Sequence, residues 1–159
     1  MEVELATDVD KAIRLAEAGE LARQGLIPGS RRRLLYVSDL EALYEMSFLR
    51  MFIAWERFIE ESFVRLLCGY VTPSHVPAPV KTTSATLNAA RTAVLGGRQF
   101  VSWAWPDVVV KRSRRFLHGA PHEVVLLSVQ ARMEAIAVCR HHIAHRTSET
   151  RPKFDPATR

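Results

Sequence analysis

The chain has 159 residues, of which 48% are hydrophobic and 25% are charged, so its length and composition fit one globular domain with a sizeable core. Its net charge of +5 and isoelectric point near 9.7 favour a polyanionic partner, although a solvated basic surface gives the same values. No run of about 18 uncharged apolar residues is present, and the two cysteines cannot form a disulfide framework. We therefore expect a cytoplasmic protein that is neither exported nor inserted into a membrane.

The N-terminal part predicts one helix and a basic loop. The helix begins at Thr7 or Asp8, where a side chain can cap it, and ends at Gln24 before a glycine. The arginine run 31–33 is typical of a solvated loop, with RNA contact as the weaker alternative. Residues 1–37 are thus predicted to pack on the main domain.

A long central helix follows. Ser38 and Glu41 match the capping-box pattern, and the helical pattern continues to Gly69. Its predicted core stripe has apolar residues at spacings of three and four: Phe48, Phe52, Trp55, Ile59, Phe63 and Leu66. On the predicted solvent-exposed face, Glu61 is placed to pair with Arg65.

Two shorter helices are predicted after a proline-rich crossing over residues 69–83. They cover residues 84–95 and 106–118, and the aromatic stretch 100–105 between them is expected to fold over the core rather than to stack on bases. The second helix carries a basic cluster predicted to contact RNA: Lys111, Arg112, Arg114 and Arg115.

From Pro121 to Arg146, apolar residues recur at helical spacing on two stripes. One stripe contains Arg140 among Val125, Val129, Met133, Ile136 and Ile143. The other consists of Val124, Leu127, Ala131 and Val138, and burial on two faces suits a helix that meets both a core and a dimer partner. Lone charges are rarely buried unless they are paired or functional, so Arg140 is predicted to lie at a seam or site, with a paired structural arginine as the alternative.

The stretch Arg140-His141-His142-Ile143-Ala144-His145 combines an arginine that can stabilise a phosphate with histidines that can move protons. With 18 Arg and 6 His in the chain, about two arginine–histidine pairs at this range of spacing are expected by chance, so the helical context singles out this one. A spacing of five turns about 500° on a helix and leaves the two residues about 140° apart. A working site therefore needs the arginine to reach round, the helix end to loosen, or a second copy of the chain across a two-fold axis.

Arg140, the polar His141 after it and His145 late in the last long helix resemble the catalytic signature of the HEPN superfamily of helical ribonucleases. The stretch Ala54-Trp55-Glu56-Arg57-Phe58-Ile59-Glu60-Glu61 resembles the first core helix of its RiboL-PSP-like branch. The resemblance covers residues 38–150 and leaves 151–159 as a polar tail. It implies an all-α, up-and-down bundle of four main helices, to which the N-terminal helix is added.

The resemblance implies an endoribonuclease without metal or cofactor, which cleaves single-stranded RNA through attack of the ribose 2′-hydroxyl on the adjacent phosphate. In a homodimer, both copies of His145 would exchange protons, both copies of Arg140 would bind the phosphate, and His141 would aid orientation. Glu56 is a candidate for orienting Arg140 or His145, but pairing with its surface neighbours is favoured, so it is left outside the predicted site.

Three alternatives stay open. His141 and His145 suit zinc by their spacing, but the glutamate that follows the first histidine in helical zinc proteases is absent. A HEPN-like chain without activity would be an RNA-binding or protein-interaction module. HEPN toxins with a nucleotidyltransferase antitoxin carry a tyrosine two residues past the histidine, where this chain has Thr147, so a different antitoxin or regulatory partner, or a role in phage defence, stays open.

Overall fold

The computed structural model describes residues 2–25, 35–71, 79–119 and 121–145. These residues form six helices: α1 (Glu2–Gln24), α2 (Val37–Leu67), α3 (Leu87–Leu95), α4 (Pro106–Phe116), α5 (Pro121–Ser128) and α6 (Gln130–His145). Within those ranges no strand forms, and the β structure is limited to an isolated bridge between Val80 and Leu117. The predicted all-α class is confirmed.

Three predicted features lie outside the described residues. They are the arginine run 31–33, the middle of the proline-rich crossing, and the tail that contains Thr147. None of the six described helices combines the length and the apolar composition needed to cross a bilayer.

α1 begins earlier than predicted. The predicted cap at Thr7 or Asp8 is wrong, because both residues lie inside α1, where Thr7 Oγ1 donates to a carbonyl of the preceding turn at 2.7 Å. The predicted end at Gln24 is confirmed. α1 packs on α2, and a Cβ at Gly19 would lie 2.9 Å from Leu43 Cδ1, so the missing side chain permits the close approach of these helices.

α2 starts slightly earlier than the capping pattern indicates. Its N-cap is Tyr36 rather than Ser38, and Asp39 Oδ2 accepts from the Tyr36 backbone N–H at 2.9 Å, so Asp39 takes the role predicted for Glu41. The predicted end is confirmed, since the chain leaves the helix through Gly69 at φ 80°. α2 is the central element, with α1, α3 and α6 packed on it.

The predicted core stripe of α2 is inside the molecule. Phe52, Ile59 and Phe63 are buried, and the other three members are partly buried against the same clusters. The main core is completed by buried side chains from the rest of the chain: Ala90, Val94, Trp103, Val109, Val110, Phe116, Leu117 and Leu126. Trp103 is buried and lies 5.1 Å from Phe63 between ring centroids, so this part of the aromatic stretch covers the core, as expected, whereas Phe100 is 75% exposed and does not.

α3 is shorter at its start than predicted. It begins at Leu87 rather than Ser84, and its cap is Thr86, whose Oγ1 accepts from the Ala89 N–H at 3.2 Å. The predicted end is confirmed at Gly96, which adopts the left-handed conformation with φ 57°.

α4 begins at Pro106, as predicted, and ends two residues before His118. Leu117 turns to an extended conformation and forms the bridge with Val80, which anchors the end of the proline-rich crossing beside α4. α4 contacts both α5 and α6.

The predicted single last helix is wrong, because Val129 separates α5 from α6. Ser128 Oγ donates to the Val125 carbonyl at 2.7 Å, while the Val129 N–H bonds to Leu126 O at 3.3 Å, so the regular helical ladder is interrupted there. The two predicted stripes are also not both buried. Leu126 is buried on α5, but four apolar residues at this corner are exposed: Val124, Val125, Leu127 and Val129.

Candidate functional site

Arg140 lies near the end of α6 and points towards α2. Its Nη2 donates to Glu56 Oε2 at 3.3 Å, and the two side chains are 27% and 20% exposed. The apolar stripe that carries Arg140 is therefore interrupted by an arginine paired with a carboxylate of the central helix. This is the contact that the sequence offered as the less favoured role of Glu56.

The pairing uses only part of the guanidinium. The Arg140 Nε is buried without a hydrogen-bond partner among the described residues, and the contact with Glu56 is longer than the 2.7–2.9 Å or so that is usual for a charge-assisted hydrogen bond. A phosphate would meet the remaining Nη donors, or it would replace Glu56. Glu56 thus holds the arginine in place without using all of its hydrogen-bond donors.

His141 and His145 form the exposed part of the site. Their ring centroids are 4.6 Å apart at an interplanar angle of 55°, since the two residues are one helical turn apart on the same face of α6. His142, which follows His141 in the sequence, is partly buried. Two imidazoles on one face can bind or exchange protons with one ligand.

Helix geometry separates these histidines from the arginine. α6 stays α-helical through His145, so the spacing of five residues keeps Arg140 and His145 about 140° apart around the helix axis. Arg140 is also held towards α2 by Glu56. Within one chain the structure therefore brings His141 and His145 together and directs Arg140 to another side.

A metal site would need a third ligand. Across the described ranges, no group of three His, Cys, Asp or Glu side chains is arranged to hold a metal ion. The described neighbourhood of His141 and His145 supplies two imidazoles, fewer than the three protein ligands typical of a catalytic zinc site.

The predicted basic cluster on α4 divides into two kinds of residue. Lys111, Arg114 and Arg115 are exposed, whereas Arg112 is buried at 8% exposure. Arg112 Nη1 donates to the Val94 carbonyl at the end of α3, and its guanidinium lies 5.9 Å from the Trp103 ring centroid. Arg112 therefore presents little surface to RNA, unlike the other three residues predicted to contact it.

Carboxylates partly neutralise the exposed members. Lys111 Nζ lies 3.0 Å from Asp107 Oδ2, and Arg114 Nε donates to Glu123 Oε1 at 2.7 Å. Arg115 stacks over the Phe116 ring at 5.3 Å and makes no ion pair within the described structure. Arg115 thus offers the least compensated surface charge of the α4 cluster.

The site residue that sequence reasoning left out is Glu56. Its position in the sequence could have identified it. Glu56 follows Trp55 on the core side of α2, and a carboxylate there requires a partner from a facing helix. No protein-family model matches the chain, and neither a curated protein nor a solved structure matches it.

Proposed function

We propose that this chain is a metal-independent endoribonuclease of the HEPN type that cleaves single-stranded RNA. The observation that carries the proposal is Arg140, paired with Glu56 of the central helix and followed directly on the last helix by the exposed pair His141 and His145. An arginine and two imidazoles on one helix can supply charge stabilisation and proton transfer, which are the two requirements of RNA transesterification, once a second copy brings them together.

The proposed architecture is an up-and-down bundle of four main helices with α1 added on one side. In this arrangement α2, α3 and α4 are three of the four, and α5 with α6 together form the fourth, interrupted at Val129. The packing of α2 against α1, α3 and α6 and of α4 against α5 and α6 is compatible with it.

The proposed chemistry needs no cofactor. The imidazole of His145 in one copy of the chain removes the proton from the ribose 2′-hydroxyl, which attacks the adjacent phosphorus. The imidazole of His145 in the other copy protonates the departing 5′-oxygen. Arg140 binds the non-bridging oxygens, where negative charge develops, and His141 orients its neighbour. The products are a 2′,3′-cyclic phosphate and a free 5′-hydroxyl.

The proposed active form is a homodimer. One chain directs Arg140 and His145 to different sides of α6, so a second copy is the arrangement that lets the arginine of one chain face the histidine of the other. The exposed apolar corner of Val124, Val125 and Leu127 on α5 supplies surface for such a contact. RNA is the proposed partner, approached along Lys111, Arg114 and Arg115 of α4.

A second candidate function is an inactive RNA-binding or protein-interaction module of the same fold. The ion pair itself favours this candidate, because Glu56 neutralises the charge that Arg140 would offer to a phosphate, and the Arg140 Nε is inaccessible. The two candidates differ in whether phosphate can displace the carboxylate.

Cleavage of labelled single-stranded RNA in excess chelator separates the two candidates. Arg140→Ala and His145→Ala should each reduce the rate by about a hundredfold or more if they act in the chemical step. Arg132→Ala, which removes an exposed arginine from the same helix, is the matched control and should retain the native rate. A folded native dimer that binds RNA without cutting it supports the inactive module instead.

The exposed position of His145 makes its variant the cleaner of the two. Arg140→Ala leaves Glu56 partly buried without its partner and so carries a stability cost, whereas His145→Ala removes a surface side chain. Loss of activity in His145→Ala at unchanged thermal stability therefore assigns the effect to chemistry.

A further inference from the structure

An open cavity of about 470 Å³ lies between the loop that precedes α4 and the first turns of α4. Its charged lining residues are Arg98 and Arg112, and its apolar ones include Phe100, Val101 and Val108. The volume is within the range of about 300 to 1,000 Å³ typical of small-molecule sites. The cavity involves neither Arg140 nor the histidines of α6.

The cavity contains a buried arginine that forms no ion pair with a carboxylate of the described residues. Arg112 is 8% exposed, its Nη1 donates to the Val94 carbonyl, and its Nε is buried without a partner among the described residues. Burial, followed by the nearby charges of Arg98 and Arg115, lowers the pKa of Arg112. Buried charges are normally paired, so an arginine that feels two nearby cations and makes no ion pair within the described structure suits an anionic ligand.

The end of α3 offsets only part of this charge. The Val94 carbonyl belongs to the last turn of α3, where the helix dipole amounts to about half a negative charge. Arg115 also approaches this end, since its Nη1 would lie 3.8 Å from a Cβ at Gly96. Two guanidinium groups, of Arg112 and Arg115, therefore lie at this helix terminus, Arg98 adds its charge to the cavity lining, and the cavity keeps a positive excess.

The mouth of the cavity is aromatic. Phe100 lines it and is nevertheless 75% exposed, while Val101 and Val108 are partly buried beside it. An exposed phenylalanine next to two arginines matches a ligand with a planar base at one end and an anion at the other. A phosphate monoester carries close to two negative charges, which equals the charge of Arg98 and Arg112 together.

We propose that this cavity is a binding site for a nucleoside monophosphate, with the phosphate between Arg98 and Arg112 and the base stacked on Phe100. The site is separate from the proposed ribonuclease chemistry and does not depend on it. Arg112 supplies a guanidinium that its bond to the Val94 carbonyl holds in place, Arg98 adds an exposed charge, and Phe100 selects for an aromatic base over inorganic phosphate.

Calorimetric titration with adenosine monophosphate, adenosine and inorganic phosphate tests the site on the full chain. The monophosphate should bind at one site per chain, about tenfold or more tighter than either fragment, because each fragment lacks one of the two sets of contacts. Arg98→Gln should weaken binding of the monophosphate by about tenfold, and Phe100→Ala by several-fold. Both positions are exposed, so neither substitution disturbs the core.

Arg57→Gln is the matched control, since it removes an exposed arginine of α2 that does not line this cavity. If Arg57→Gln and Arg98→Gln weaken binding of the monophosphate equally, the effect is general charge attraction and the proposal is overturned. The absence of saturable binding, or equal affinity for inorganic phosphate and the monophosphate, would also overturn it. Sensitivity to Arg98→Gln seen with single-stranded RNA but not with the monophosphate would assign the cavity to an RNA surface instead.

Discussion

Arg140 of α6 donates to Glu56 of α2 at 3.3 Å, joining two residues that lie 84 positions apart in the chain. The contact links the helix that carries the predicted catalytic residues to the central helix of the fold. It also gives Arg140 a carboxylate partner in the place where a phosphate would need to bind. The strength of this pair therefore bears on both the stability of the fold and the reactivity of the site.

A double-mutant cycle with Glu56→Gln and Arg140→Gln should show a coupling free energy of about 1 kcal/mol, because both side chains are partly desolvated. Urea unfolding of the two single variants and the double variant measures it. The pair of Asp107 and Lys111, one turn apart on α4 at 3.0 Å and well exposed, is the surface control and should couple by about 0.3 to 0.5 kcal/mol. Coupling at the inner pair that does not exceed the control would show that Glu56 does not hold Arg140.

The loss of stability caused by substitutions at Gly96 should follow the energetic cost of the left-handed backbone conformation for each residue type. At φ 57° and ψ 43°, Gly96→Asn should destabilise the fold less than Gly96→Ala, and Gly96→Val most, with alanine at about 1 kcal/mol. A Cβ at this position would meet no atom closer than 3.8 Å, so steric overlap does not contribute to the cost of alanine. Thermal unfolding of the series measures the order, and an unchanged midpoint in Gly96→Val would contradict the αL cap.

Burial raises the pKa of the Cys139 thiol above that of an exposed cysteine. The folded protein thus favours the neutral thiol, so this contribution to stability is complete below the thiol pKa of the unfolded chain and is lost as pH rises through the higher pKa of the folded chain. Alkylation rates measured against pH in a Cys68→Ala background should give a higher midpoint for the folded protein than for the urea-unfolded protein. A folded midpoint at or below the unfolded one would contradict the burial of Cys139.

RNA binding along α4 should depend more on Arg115 than on Arg114. Arg114 is paired with Glu123 at 2.7 Å, whereas Arg115 has no ion pair within the described structure. Arg115→Gln should lower the magnitude of the salt dependence of binding to single-stranded RNA by about 0.7 in the logarithmic slope, and Arg114→Gln by less. Fluorescence anisotropy at several salt concentrations measures both slopes, and a larger change in Arg114→Gln would reverse the assignment.

Much of the helical fold was predictable from the sequence, because its strongest signals are local. The apolar stripe of α2 and the glycines after α2 and α3 gave the central helix and two helix ends correctly. The break at Val129 was not predictable from apolar periodicity, which is continuous across it. There a serine hydroxyl competes for a helical carbonyl, and hydrophobic patterns do not record such competition.

The candidate site was predictable only in part. Apolar patterning marked Arg140 as an arginine on a packing face, but its partner is 84 residues away, and helical spacing carries no information on contacts between helices. For Arg112 the sequence was misleading. Its place in a basic cluster indicated an exposed side chain, whereas in the fold it is buried and bonds to a carbonyl at the end of α3. Charge along the sequence therefore predicted the surface positions of Lys111, Arg114 and Arg115, but not the burial of Arg112.

The most direct test of the proposed ribonuclease is to compare a single-stranded RNA with the same sequence carrying 2′-deoxyribose at every position, incubated with purified native protein and excess chelator. Metal-independent transesterification predicts cleavage of the RNA alone, with 2′,3′-cyclic phosphate and 5′-hydroxyl ends. Cleavage of both strands, or cleavage of the RNA that leaves 5′-phosphate ends, would contradict it, because neither result can arise from attack by the 2′-hydroxyl.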